Sequence, residues 1–175
     1  MIDGIEIRSL PTLGEREIRE LSEVLIDCVE GGASVSFMPP MTRAKAESFW
    51  RSTAASLHRG ERVVLAAEDA HGRIVGTVQV VWAQPENQPH RGEVVKMLVH
   101  RRARRQGIGA ALLVAAERSA GSAGKSLLVL DTLEGGAAER LYARMGWQRC
   151  GTIPDYALWP NGTLCATTIF FKSLR

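Results

Sequence analysis

Apolar and polar residues alternate over Ile5-Glu6-Ile7-Arg8-Ser9-Leu10, the two-residue period of a half-buried strand, and Pro11 ends the run. The spacing then changes to threes and fours. Ile18, Leu21, Val24, Leu25, Cys28 and Val29 share one face of a helix over 15–29, which Gly31 and Gly32 stop. Residues 31–40 form a loop whose glycines stand beside Val35, Phe37 and Met38, an unusual mixture for a connection that only meets solvent. Thr42 can cap a second helix running to about Leu57, with Ala46, Phe49, Trp50 and Leu57 on one side. Strands over 63–68 and 74–82, separated by a turn built on Gly72, predict an antiparallel hairpin, and a longer strand follows from about Gly92 to Val99.

In the second half, Ile108, Leu112, Leu113 and Ala116 mark a helix over 108–120. Leu127–Leu130 is a short apolar strand, and a helix over 137–145 closes at Gly146. Strand, helix, strand in that order calls for local parallel pairing through a right-handed crossover. Segments 147–153 and 167–172 predict final strands joined by a turn at Pro160-Asn161-Gly162. With no internal repeat and no linker, the 175 residues read as one α/β domain: a mixed, mostly antiparallel sheet flanked by helices.

Composition narrows the class. Hydrophobic residues make up 45% and charged residues 23%, the balance of a globular chain rather than a disordered one. No apolar run approaches the roughly 20 residues that span a bilayer. The start, Met-Ile-Asp-Gly-Ile-Glu, lacks the layout of a signal peptide, so a cytoplasmic location without a membrane partner is expected. Cys28, Cys150 and Cys165 are odd in number and widely spaced, which predicts reduced thiols and no structural metal. The net charge of +3 is small but concentrated, because His100, Arg101, Arg102, Arg104 and Arg105 crowd one segment. Such a cluster suits nucleic acid, a polyphosphate ligand or a solvated loop.

Its neighbours decide between these. Arg104-Arg105-Gln106-Gly107-Ile108-Gly109-Ala110 places basic residues and glycines between a strand and a helix start, where unpaired amides and the helix dipole make an anion site. A dinucleotide fold would want a third glycine and an acidic residue about 20 positions on. Instead, Arg104-x-x-Gly107-x-Gly109-Ala110 after Met97-Leu98-Val99 resembles the acetyl-coenzyme A motif of the GNAT acetyltransferase superfamily. Ala138-Glu139-Arg140-Leu141-Tyr142-Ala143-Arg144-Met145-Gly146-Trp147 resembles that family's second block, with Trp147 in the last place.

The resemblance covers essentially the whole chain and implies the GNAT fold, with acetyl-CoA as co-substrate. It implies that the strand ending at Val99 splays from the strand at Leu127 and that the pantetheine arm lies in the gap. The backbone of Met97, Leu98 and Val99 would pair with that arm, and Arg104, with the amides of Arg105, Gln106, Gly107, Ile108, Gly109 and Ala110, would hold the pyrophosphate. Residues 132–136 depart from the pattern where relatives often carry an asparagine, leaving Glu134 or a backbone group to substitute.

Acetyl transfer needs a deprotonated amine and a proton for the leaving thiolate. The resemblance casts Tyr142 as the acid, against a reading as a core tyrosine. It casts Glu93 as a base, against an exposed strand-start glutamate. Asp131, after the run 127–130, is placed at the carboxyl end of its strand, to share base and anchoring work or to serve as a plain loop aspartate. Ser34, Phe37 and Trp50 are candidates for the acceptor pocket or for core packing, and His100 for a phosphate neighbour or a solvent group.

No cysteine has an activated setting, so direct attack is expected rather than an acetyl-enzyme. The segments 31–38, 93–99, 130–132 and 167–174 resemble a toxin-resistance branch of the superfamily and turn the expectation toward a small-molecule amine, a toxin or antibiotic among them. Peptide acetylation and a non-catalytic coenzyme sensor are the alternatives. Nucleic acid is not expected, since the glycine spacing already accounts for the arginines. A homodimer is implied by the family alone.

Overall fold

The computed structural model describes residues 4–175. Its alternating segments become β1 (Glu6–Ser9), β2 (Arg62–Glu68), β3 (Ile74–Trp82), β4 (Arg91–Val99), β5 (Leu127–Leu133), β6 (Gln148–Leu158) and β7 (Leu164–Ser173). They pair into a single sheet in the order β1-β2-β3-β4-β5-β7-β6. The segments of longer period become α1 (Glu15–Glu30), α2 (Arg43–His58), α3 (Ile108–Ser122) and α4 (Ala137–Arg144). Only β4 and β5 run parallel, as the intervening α3 requires; every other neighbouring pair is antiparallel. This is the mixed, mostly antiparallel sheet flanked by helices that the pattern predicts.

Side-chain alternation sorts the sheet into two packed faces. Val64, Ala66, Ile74 and Leu98 receive Leu21, Val24 and Leu25 of α1 with Ala46 and Trp50 of α2. Leu65, Val75, Val78, Val80, Val94, Leu128 and Leu130 receive Ile108, Leu112, Leu113 and Ala116 of α3 with Tyr142 of α4. Covered on both sides, β3 is buried from Ile74 to Val80, which is why it reads as a nearly continuous apolar run. Each leucine buried like Leu112 or Leu113 contributes about 1.5–3 kcal/mol. Thr42 caps α2 as expected, its Oγ1 accepting from the Lys45 amide at 3.2 Å.

Two features matter for the site. Leu98 pairs with Thr77 while Val95 pairs with Gln79, so three steps along β4 oppose two along β3. This bulge is centred near Lys96, whose φ is +52°. Parallel pairing of β4 with β5 covers only Arg91–Leu127, Gly92–Leu128 and Glu93–Val129. Beyond that point the two strands have no ladder between them.

β5, β6 and β7 all run longer than their apolar cores suggest. β5 reaches Leu133, so Asp131, expected at the carboxyl end of the strand, stands two residues inside that end, paired with Ile169 of β7. β6 is an edge strand with no fully buried residue, so it leaves little apolar period to read.

Candidate active site

The opening between β4 and β5 is where backbone groups come free. The His100 amide donates to the Val75 carbonyl. Alternation along an antiparallel ladder therefore turns the backbone groups of Leu98 to β3 and those of Met97 and Val99 toward the gap. Leu98, grouped with those two on sequence, uses its backbone in the sheet and its side chain in the core.

At the mouth of the gap, the chain leaves β4 through a single 3-10 turn (Arg101–Ala103) and enters α3. Arg105 (φ +64°) and Gly107 (φ +80°) both adopt left-handed backbone, and Gly107 is the N-cap. Among the described residues the amides of Arg105, Gln106, Gly107, Ile108, Gly109 and Ala110 have no acceptor; the first helical bond is Ala111 to the Gly107 carbonyl. Six successive free donors at a helix start are an anion cradle. A Cβ on Gly109 would meet Leu141 Cδ2 at 3.2 Å, so glycine there lets α4 come close to the cradle.

The arginines divide their work. Arg101 clamps Asp27 of α1 through its amide (2.7 Å) and its Nε (2.9 Å), and this ties the loop to the helix layer. Arg104 Nε donates to the Val99 carbonyl at 3.0 Å, and its guanidinium lies 3.8 Å from the buried Cys28 thiol. In this arrangement Arg104 braces the end of β4 instead of reaching outward. His100 Nδ1 accepts from the Arg102 amide at 3.2 Å, which makes it part of the turn. Burial holds its pKa below the ordinary imidazole value against the opposing charge of Asp27, and the surrounding arginines add to the lowering.

The candidate chemistry gathers about the point where pairing stops. Glu93 stands at the last β4–β5 pair, opposite Val129, and Asp131 lies two residues further along β5 on the same face. That face is the one α1 and α2 cover, opposite to the face of Leu128 and Leu130. Asp131 accepts from Thr167 Oγ1 at 3.2 Å. Tyr142 comes from α4 on the other face, buried against Trp147 and Phe170 with ring centroids 5.9 and 6.1 Å away. Burial, with the Asp131 charge second, pushes its hydroxyl well above the usual tyrosine range. The phenol therefore stays protonated at neutral pH, and Asp131, on the opposite face of the sheet, is near enough to act on it electrostatically.

Lys96 belongs to the same group and was not singled out on sequence. The bulge places it with Glu93 and Asp131, and its Nζ lies 3.1 Å from Ser36 Oγ and over the rings of Phe37 (5.7 Å) and Phe49 (6.0 Å). Burial lowers its pKa, and the Asp131 and Glu93 charges partly oppose that. A lone lysine amid the apolar run Val94–Val99 was the available signal. Of the other pocket candidates, Phe37 lies beside this ammonium. Ser34 Oγ donates to the Leu158 carbonyl at 3.4 Å and so joins the 31–40 loop to the end of β6, whereas Trp50 is core. Glu134 is engaged with Arg149 (3.2 Å) and Thr152 (3.1 Å) of β6.

Residues 24–147 match the family model described as the acetyltransferase (GNAT) family. The chain belongs to the GNAT acetyltransferase family. Solved GNAT-fold structures superpose along nearly its whole length. The ribosomal-protein-alanine N-acetyltransferase of Brucella melitensis is 24% identical with a TM-score of 0.78, covering 96% of this chain and 99% of its own. yncA of Salmonella typhimurium, solved with its cofactor acetyl-CoA, is 19% identical with a TM-score of 0.80, covering 99% and 95%. A phosphinothricin acetyltransferase of Sinorhizobium meliloti in complex with AcCoA is 16% identical with a TM-score of 0.79, covering 97% and 88%. At these identities the likeness shows the GNAT fold; their acceptors, a ribosomal protein and phosphinothricin, differ within that one fold. No helix among the described residues is long and apolar enough to cross a membrane.

Proposed function

We propose that this chain transfers the acetyl group of acetyl-CoA directly to an amine of a small molecule. The observation that carries the proposal is the row of six acceptor-less amides from Arg105 to Ala110, opening onto a gap between strands with two carboxylates on one face and a protonated phenol on the other. Those amides would receive the pyrophosphate, and the backbone groups of Met97 with the amide of Val99, whose carbonyl already accepts from Arg104, the pantetheine arm. With the thioester at the point where β4 and β5 part, Glu93 or Asp131 takes a proton from the acceptor ammonium. The amine nitrogen then bonds to the carbonyl carbon, the carbon–sulfur bond breaks, Tyr142 gives its proton to the leaving thiolate, and the second proton, shed by the new amide nitrogen, returns through solvent to restore the phenol.

The small-molecule reading rests on the likeness of residues 31–38, 93–99, 130–132 and 167–174 to the tabtoxin resistance protein. The contact from Ser34 to Leu158, which brings the 31–40 loop against β6, also supports it. The reading includes one domain over residues 1–175, a cytoplasmic location and a homodimer. For the dimer, the free edge of β6, with Ile153, Tyr156 and Leu158 exposed, is the surface to examine by sedimentation.

The test is release of free CoA thiol from acetyl-CoA over a panel of amino acids, polyamines, aminoglycosides, phosphinothricin and short peptides. Turnover with a small amine and not with peptides supports the reading; turnover with peptides alone replaces it with protein acetylation. Coenzyme binding without turnover on any acceptor would make the chain a sensor.

A further inference from the structure

Lys96 presents a physical problem at a site that must admit an ammonium group. Its side chain is half-buried and has, among the described residues, one hydrogen-bond partner, Ser36 Oγ at 3.1 Å, with two aromatic rings beneath its charge. No carboxylate lies within 4.0 Å of its Nζ among the described residues, although Asp131 and Glu93 are near enough to act on it electrostatically. A half-buried cation without a counter-ion is costly, and it repels a second cation that docks beside it.

The surroundings repeat the pattern. Lys45 Nζ also lies over the Phe37 ring, 5.9 Å from its centroid, and donates to the Met38 carbonyl at 3.1 Å. Arg62, on β2, lies close enough to lower the Lys96 pKa further; it donates to Gln79 Oε1 at 2.7 Å and Ser56 Oγ at 2.8 Å. Gln79 sits opposite Val95, fully buried, and its Nε2 has no acceptor among the described residues. The acceptor face is thus bipolar, with donors and cations around the β4 bulge and carboxylates at the end of the β4–β5 ladder.

We propose that Lys96 is a specificity-determining residue that receives an anionic group of the acceptor, so that an amine carrying a carboxylate or similar compact anion is preferred to the same amine without one. The inference rests on the acetyltransferase reading. The acceptor would lie with its ammonium at Glu93 and Asp131 and its anion over the bulge, and the incoming charge supplies the counter-ion that the protein omits. Phe37 and Phe49 exclude water there and strengthen the pair.

The experiment compares three amino acids with their decarboxylated amines: ornithine with putrescine, lysine with cadaverine, and phenylalanine with phenethylamine. It uses the full chain as wild type, Lys96→Met and Lys96→Arg. Wild type is expected to favour the carboxylate-bearing partner by about thirtyfold or more in kcat/KM. In Lys96→Met that preference collapses through KM for the acceptor while KM for acetyl-CoA holds, and Lys96→Arg restores part of it. Equal kcat/KM for both members of every pair in wild type overturns the proposal. So does a fall in kcat of Lys96→Met that is the same for both members, since that marks a charge acting on the amine itself. Calorimetric binding of the same pairs to the protein saturated with CoA reads the preference without turnover. A preference in binding with no turnover upholds the anion site and removes the acetyltransferase reading, whereas no binding of any carboxylate-bearing partner overturns the anion site.

Discussion

Tyr142 offers two uses for one side chain, since the same burial that makes it part of the core keeps its proton in place. Tyr142→Phe retains the packing against Trp147 and Phe170, so its melting temperature is expected to stay within a few degrees of wild type. Its kcat should fall by about 10²–10⁴-fold if the hydroxyl delivers the proton. The pH profile adds a sign: because the hydroxyl titrates above the ordinary tyrosine value of 10.0, wild-type kcat should show no decline below pH 10.0 from loss of this proton. A descending limb beneath that value, absent in Tyr142→Phe, would contradict the assignment. Gly107 is the second single-residue case. An alanine at φ +80° costs about 1–2 kcal/mol, and it disturbs the amides that precede α3. Gly107→Ala should therefore melt a few degrees lower and bind acetyl-CoA at least about tenfold more weakly by calorimetry.

At the scale of elements, most boundaries were legible because each face of the sheet is covered by helices that impose a clear period. α1, α3, β2 and β3 carry their apolar residues where those faces need them. The site was half legible. Gly107 and Gly109 announce the cradle, and Tyr142 follows from its motif, because both depend on local backbone or helix position. The β4 bulge was not readable: a one-residue slip in a ladder leaves no mark in composition, and it is the slip that brings Lys96 within the electrostatic reach of Asp131. Asp131 was assigned to a strand end because the apolar run stops at Leu130; β7 extends the pairing beyond it through backbone bonds, which do not depend on side-chain polarity.

The β1–β2 edge joins α1 through charges as well. Glu68 accepts from Arg8 at 2.7 Å and from Arg16 at 3.2 Å. The Arg8 hydrogen bond, opposed by burial, holds the Glu68 carboxyl below its ordinary value of 4.5. The folded state thus takes up this proton less readily than the unfolded chain does. The contribution is present above pH 4.5 and lost as pH falls through the lower folded value. Glu68→Gln should be less stable than wild type by up to about 1 kcal/mol at neutral pH, with the difference shrinking in urea melts run progressively below pH 4.5.

For the whole molecule, the sheet is two ladders, β1 to β4 and β5 to β7, joined by three residue pairs at one end. A ligand that fills the opening binds both, and stability should respond accordingly. At about a hundred times its dissociation constant, acetyl-CoA should add about 2.7 kcal/mol and raise the melting temperature by roughly 5–10 °C. High salt should reduce the effect, since much of the attraction is between phosphates and a cationic loop.

The short junction at Arg91–Glu93 also makes the protein a pair of leaves on one spine. Motion of one leaf against the other would open and narrow the acceptor side and the coenzyme side together, because both lie along the same seam. Native-state hydrogen exchange should register this. The amides of Met97 and Val99, turned toward the seam, should exchange quickly in the free protein and slow by orders of magnitude with the coenzyme in place, while that of Leu98, turned into the sheet between them, should be slow in both.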